Sequence, residues 1–256
     1  MQGRLTQQDM EKVGKALSGH GITLKCEGEQ AYADMERKQI TLPAIPECGV
    51  SDPELLRTMR FFLDHECGHM VGESDQAVLR KFMARYGQPG KHILNVLEDV
   101  RVEAVMAGIW RGCGVNLAAG RGPLLHEIEN NVPDGGGNEV QQIGLALYRR
   151  GSGLPVDGHP KFDAKLIEDI IGKDAEDRDR IKAIPQWAKR SKDLVPLAED
   201  ILKRLAAKSR DERQQQDEQK QEQEQEQEDR DRQESGESQD ASVSQAASGE
   251  GDGEGD

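Results

Sequence analysis

From Ser209 to Asp256 the chain carries 17 acidic and 5 basic side chains, and between Gln214 and Gln233 it has no aliphatic residue. Such a segment cannot bury enough apolar surface to offset the entropy of ordering it. It reads as a disordered acidic tail, and the Gln–Glu alternation of its first half can extend a preceding helix transiently. A packed domain must therefore come from residues 1–208, which hold 31 acidic and 29 basic residues and are close to neutral. The net charge of −14 over 256 residues is thus almost all in the tail. One metal-motif match inside it, Asp240-Ala-Ser-Val-Ser244, fits D-x-S-x-S but is set aside, because no buried apolar strand precedes it.

The same arithmetic removes several functions. No basic footprint for nucleic acid exists, and the polyanionic tail should repel phosphate backbones. Mean hydropathy is −0.77, and no run approaches the roughly 18–20 apolar residues that span a bilayer. The first nine residues contain no apolar secretory core, so a cytoplasmic location without membrane attachment is expected. Cys26, Cys48, Cys67 and Cys113 form no C-x-x-C pair, which points to free thiols in a reducing compartment and against a zinc–sulfur site.

Local signals predict a mainly α fold with a small N-terminal β-hairpin or sheet. Thr6 with Asp9 opens a helix to about Leu17, stopped by Gly19 and Gly21. Ile22–Cys26, Ala31–Asp34 and Ile40–Leu42 are short strands, with a turn at Glu36–Gln39. Ser51 caps a helix with Pro53 in its first turn, running to about Val71. Ser74-Asp75 caps the next, Gln76–Tyr86, and Gly87-Gln-Pro-Gly90 separates it from a helix over about Lys91–Ala107. Gly112–Arg121 reads as loop, as does a flexible Asn131–Gly137. Further helices are predicted at Pro123–Asn130, Glu139–Arg149, Lys161–Ile171, Asp177–Arg190 (broken at Pro185) and Asp193–Ala207.

The chemistry lies in His65-Glu66-Cys67-Gly68-His69, an H-E-x-x-H inside the helix that Ser51 opens. Residues four apart share a helix face, so both imidazoles can reach one cation, and Glu66 beside them can take a proton from a metal-bound water. Phe61, Phe62 and Leu63 put this helix in the core, where an uncoordinated charged cluster would be costly. A zinc ion is the expected cofactor, and it needs a third protein ligand. Asp75 fits H-E-x-x-H-x-x-G-x-x-[HD], but Gly72 reads better as the end of one helix and Ser74 or Asp75 as the cap of the next. No clear Met-turn follows, so Asp75 ranks last. On the helix around Lys91–Ala107, Ile93, Leu97, Val100, Ala104 and Ala107 form an apolar stripe, while His92, Asp99 and Glu103 share a narrow polar edge. Asp99 ranks first, because Glu103 one turn on can orient a ligating histidine. Glu98 ranks second; the competing role for it is an ion pair with Arg101.

His65-Glu-Cys-Gly-His69 followed by Asn95-Val-Leu-Glu-Asp-Val-Arg-Val-Glu103 resembles the metallopeptidase-like N-terminal region found with von Willebrand A proteins. That group includes CobT-type cobaltochelatase subunits and phage-encoded relatives. The resemblance covers roughly residues 30–110, and the acidic stretch is similar to the linker that CobT-type chains carry. It implies one of two functions. The first is a zinc metallopeptidase hydrolysing peptide or protein substrates, with His65, His69 and Asp99 or Glu98 on the metal and Glu66 as base. The second is a non-catalytic adaptor with a structural zinc that partners an AAA+ ATPase. No von Willebrand A domain follows in this sequence, and the intact H-E-x-x-H favours the hydrolytic branch.

Other residues are given ordinary roles. His126 reads as a surface histidine, and His92 as a minor candidate for ligand or donor. Tyr86 and Tyr148 could stabilise an oxyanion but read first as packing residues, as do Trp110 and Trp187, and Cys67 reads as a small core hydrophobe. The glycines of 112–122 lack a following Lys-Ser/Thr, so they form no phosphate-binding loop.

Overall fold

The computed structural model describes residues 4–19, 21–46, 49–132, 138–157, 159, 161–172 and 175–243. The chain forms two units, Met1–Leu205 and Ala206–Asp256. The first unit opens with α1 (Gln7–Ser18), whose cap is the predicted Thr6–Asp9 box. The strands β1 (Thr23–Cys26), β2 (Tyr32–Asp34) and β3 (Gln39–Leu42) follow. They make one sheet in the order β1-β3-β2, with β1 parallel and β2 antiparallel to β3, so β2 lies at an edge.

α2 (Pro53–Val71) carries the H-E-x-x-H motif. Its cap is Asp52 rather than Ser51, because the Asp52 carboxylate accepts from the backbone N–H groups of Glu54 and Leu55. α3 (Gln76–Ile109) is capped by Asp75 and breaks at Gly87, whose φ of 67° is open to glycine at no steric cost. The two predicted helices are therefore two arms of one bent element.

The predicted loop at Gly112–Arg121 is instead the first half of α4 (Arg111–Asn130). Glycine there marks a close approach rather than a turn: a Cβ on Gly120 would lie 2.4 Å from Phe61 Cβ. Trp110, expected to pack, stands partly exposed at the α3–α4 junction. The remaining helices are α5 (Glu139–Gly151), α6 (Ala164–Ile167, continued by a wide turn to Gly172), α7 (Ala175–Lys182) and α8 (Ile184–Trp187). A short 3-10 turn at Ser191–Leu194 then leads into α9 (Val195–Val243). In the second unit this helix continues through the segment read as a tail; residues 210–227 are exposed. Gln, Glu, Lys and Arg are strong helix formers, so local propensity alone favours this geometry. Most of the loop read at 131–137, and everything after Val243, lie outside the described residues.

Two hydrophobic clusters share α3. One joins α1, the sheet, α2 and α4 around Met10, Ile40, Phe61 and Leu63, and takes Met106 from α3. The other joins α3, α5 and the later helices around Ile93, Leu97, Val100, Ile143 and Leu197. Of the stripe expected on α3, Ile93, Leu97 and Val100 are buried, whereas Ala107 is exposed. Among the described residues no helix is long and apolar enough to cross a membrane.

Candidate metal centre

The centre forms where α2 and α3 touch. Gly68 permits the contact: a Cβ there would come within 3.0 Å of Met106 Cγ and 3.2 Å of the Val102 carbonyl oxygen. Close packing brings Asp99 across to the two histidines. His65 Nε2 and His69 Nε2 are 3.3 Å apart, and Asp99 Oδ1 lies 3.7 Å from the first and 3.4 Å from the second. Donor atoms held about 2.0–2.1 Å from a tetrahedral zinc are about 3.3–3.4 Å from one another. The triangle thus has the dimensions of one face of such a site. Among the described residues His65, His69 and Asp99 are the group able to hold a metal ion.

The donor triangle could hold a cation. Asp99 Oδ1 is buried and has no hydrogen-bond partner, a costly state for a carboxylate oxygen. Asn95 satisfies the other oxygen, donating to Asp99 Oδ2 at 3.2 Å. Two imidazole nitrogens and one carboxylate oxygen, each with its lone pair aimed inward, suit a borderline-soft divalent ion.

Both rings are oriented from behind. His65 Nδ1 donates to Glu103 Oε1 at 3.0 Å, and Glu103 also accepts from Tyr148 Oη at 2.6 Å and Arg121 Nη2 at 2.5 Å. A carboxylate only accepts, so Nδ1 of His65 carries a proton, and in the neutral ring Nε2 is the free nitrogen. His69 Nδ1 lies 2.9 Å from Ser74 Oγ, and Ser74 donates its own proton to Glu98 Oε1 at 2.6 Å. The Ser74 oxygen therefore accepts from His69, and His69 Nε2 is free as well. Phe61 stacks on His65 at 5.8 Å between ring centroids, which limits rotation of the ring.

Glu98, the alternative third ligand, does not join the triangle. Its carboxylate is taken up by Arg101 at 2.9 and 2.6 Å, Ser74 and Ser191. Burial opposes its charge, but the Arg101 guanidinium and the two hydroxyls hold its pKa below the usual glutamate value. Arg101 is itself fully buried and also donates to the carbonyls of Gly72 and Lys189. Asp75 is committed to capping α3, and its own N–H donates to Ser191 Oγ. His92 lies off the centre, its Nε2 close against Gly144. His126 is exposed. Tyr86 donates to Glu199 Oε1.

Glu66 is buried next to the ligands and accepts from the Ala33 backbone N–H of β2. Burial raises its pKa and outweighs the pull of both histidines. A carboxylate moved toward neutrality is a better proton acceptor near pH 7 than an ordinary surface glutamate. His65 is the counterpart. Burial opposes its charge, yet the Glu103 hydrogen bond and the surrounding carboxylates carry its pKa up to about 10. The enclosure favours positive charge.

Sequence reasoning missed Ser74 and Arg121, and read Tyr148 as packing, with oxyanion stabilisation as the alternative. Ser74 had a usable signal, five residues past His69 at the helix end, but it also looked like a cap. Arg121 and Tyr148 come from α4 and α5 through tertiary packing, with no local pattern to mark them. Two cavities meet at the centre, and His65, Glu66 and Asp99 line both of them. No family model, curated protein or solved structure matches this chain, so its own residues are the ground for assigning a function.

Proposed function

We propose that this protein is a zinc-dependent peptidase of the H-E-x-x-H type. The observation that carries the reading is the triangle of His65 Nε2, His69 Nε2 and the unpartnered Asp99 Oδ1, with a proton acceptor, Glu66, buried beside it. Two histidines and one carboxylate form a donor set found in catalytic zinc sites, where three protein ligands leave a position open. A structural zinc normally takes four protein ligands, and the group here has three. That difference favours a hydrolase over an adaptor with structural metal.

Zinc bound there would polarise a substrate carbonyl and make water easier to deprotonate. Glu66 accepts the proton of the attacking water and, as its conjugate acid, hands it to the departing amine. Ala33 and the helix hold its carboxylate in place during both transfers. Glu103 and Ser74 accept from the two Nδ1 atoms and so keep each Nε2 turned toward the metal position. β2 lies at the sheet edge beside Glu66, where Ala33 donates its N–H to Glu66 and its carbonyl accepts from Gln76 Nε2 at 3.2 Å, so this strand serves to hold the base.

Metal analysis of the purified protein beside His65→Ala is the direct test. The parent should hold about one equivalent of zinc and the variant far less. Glu66→Gln should keep the metal and lose peptide hydrolysis. Equal, negligible zinc in parent and variant discards the reading.

A further inference from the structure

The two cavities that meet at the centre differ in chemistry. The smaller, about 270 Å³, is walled by polar groups including Ser74, Gln76 and Asn95. The larger, about 560 Å³, lies between α2, α3, α4 and α5 and is walled by Phe61, Phe62, Val96, Leu124, Leu125 and Leu145. Its size is that of a ligand pocket, and apolar walls with few polar groups are the usual lining of one. Small residues keep it open. Ala31 lies on its β-sheet side, and Gly144 on its α5 side, where a Cβ would meet His92 Nε2 at 2.2 Å. A side chain at position 144 would drive the His92 ring off its seat.

We propose that this larger cavity is a specificity subsite that takes a bulky aliphatic or aromatic side chain of the substrate at a position adjoining the scissile bond. The inference rests on the peptidase reading and adds the substrate class to it. The cavity is continuous with the centre, because His65, Glu66 and Asp99 form part of its wall and Phe61 both lines it and stacks on His65. Away from the centre its polar lining is the Tyr148 hydroxyl, already spent on Glu103, with His92, Gln141 and Asn131 at its margin. A charged side chain entering between the phenylalanines and leucines would give up most of its water against an apolar wall, while an apolar one gains by leaving water.

The test compares two metal-binding probes on the zinc-loaded full-length protein by calorimetry: acetohydroxamate, which has no arm, and 3-phenylpropionohydroxamate, which has an apolar one. Burying a phenyl group in the cavity should make the second bind about 10- to 100-fold tighter. Ile128 is exposed at the cavity wall, so Ile128→Asp places a charge there without disturbing the core. That variant, and the space-filling Leu124→Trp, should cut the ratio to less than about threefold. Fluorogenic peptides with Leu or Phe beside the scissile bond should be cleaved at least about tenfold faster than those with Gly there.

Equal affinity of the two hydroxamates overturns the subsite, whatever is found for hydrolysis. Cleavage with no preference between Gly and Phe on either side of the bond also overturns it and leaves the peptidase reading intact. Strong arm-dependent binding without cleavage of any peptide overturns the peptidase reading and leaves an apolar pocket beside a metal. A protein that takes up no zinc overturns both.

Discussion

His65 Nδ1 donates to Glu103 Oε1 at 3.0 Å, a bond spanning two helices that fixes which ring nitrogen faces Asp99. Glu103 is nearly fully buried and held in turn by Tyr148 and Arg121. Removing its charge should therefore act on the metal without touching a ligand. Glu103→Gln should weaken zinc binding by about 10- to 100-fold, the usual loss when a carboxylate behind a ligating histidine is removed. Competition against a chromophoric chelator reads this directly. An affinity equal to the parent's would show that the bond does not orient the ring.

Asp99 offers a sign test. Its Oδ1 is buried without a hydrogen bond, and in the metal-free fold the charge of His65 is what offsets that cost. Asp99→Asn should change metal-free stability by no more than about 1 kcal/mol in either direction. In the same variant the rise in Tm on adding saturating zinc, which follows from binding to the folded state alone, should largely disappear. Thermal melts with and without zinc give both numbers. A large metal-free loss would mean that Asp99 is structural.

Proton release is the third test. In the folded metal-free protein the His65 pKa is carried up to about 10, against a reference of 6.5. The raised value means His65 adds stability that is complete below about pH 6.5 and fades as pH climbs through about 10. Zinc needs the deprotonated ring, so uptake near pH 7 should expel about one proton from this residue, and apparent affinity should rise about tenfold per pH unit there. Calorimetry in buffers of different ionisation enthalpy counts the proton. Zinc affinity independent of pH between 6.5 and 8.5 would contradict it.

Arg101 carries the largest expected stability effect. It is buried against Glu98 and two backbone carbonyls. Arg101→Ala leaves the Glu98 carboxylate buried without its countercharge and should cost about 3–5 kcal/mol. The double change Arg101→Ala with Glu98→Gln should cost clearly less than the sum of the two single changes, because the stranded charge is gone. Urea denaturation of the four proteins closes the cycle.

The parts of this centre visible from sequence are those with local spacing. His65, Glu66 and His69 lie within one helical turn, and Asp99 could be ranked over Glu98 because Glu103 follows it by a turn. The bond from His65 to Glu103 is the contact that ranking anticipated. Glu98 became a structural anchor because Arg101, three residues on, is buried with it, and sequence alone carries no measure of burial. The glycines of 112–122 misled for a related reason. The close approach that Gly120 permits is set by Phe61, a partner distant in sequence, and without that partner a glycine cluster looks like a loop. The apolar cavity was invisible for the same cause, since its walls come from four helices and no motif joins them.

Glu98, Asp99 and Glu103 all ride on α3, so both histidine supports and the acidic donor move as one piece. If α3 slid along α2 by a single residue, the grip on His65, the relay through Ser74 to His69 and the Asp99 contact would all be lost at the same moment. The centre therefore behaves as a latch with one tongue: it is either wholly assembled or wholly disarmed, and partial damage to the seat of α3 should yield mixtures of competent and inert molecules rather than a uniformly weakened population.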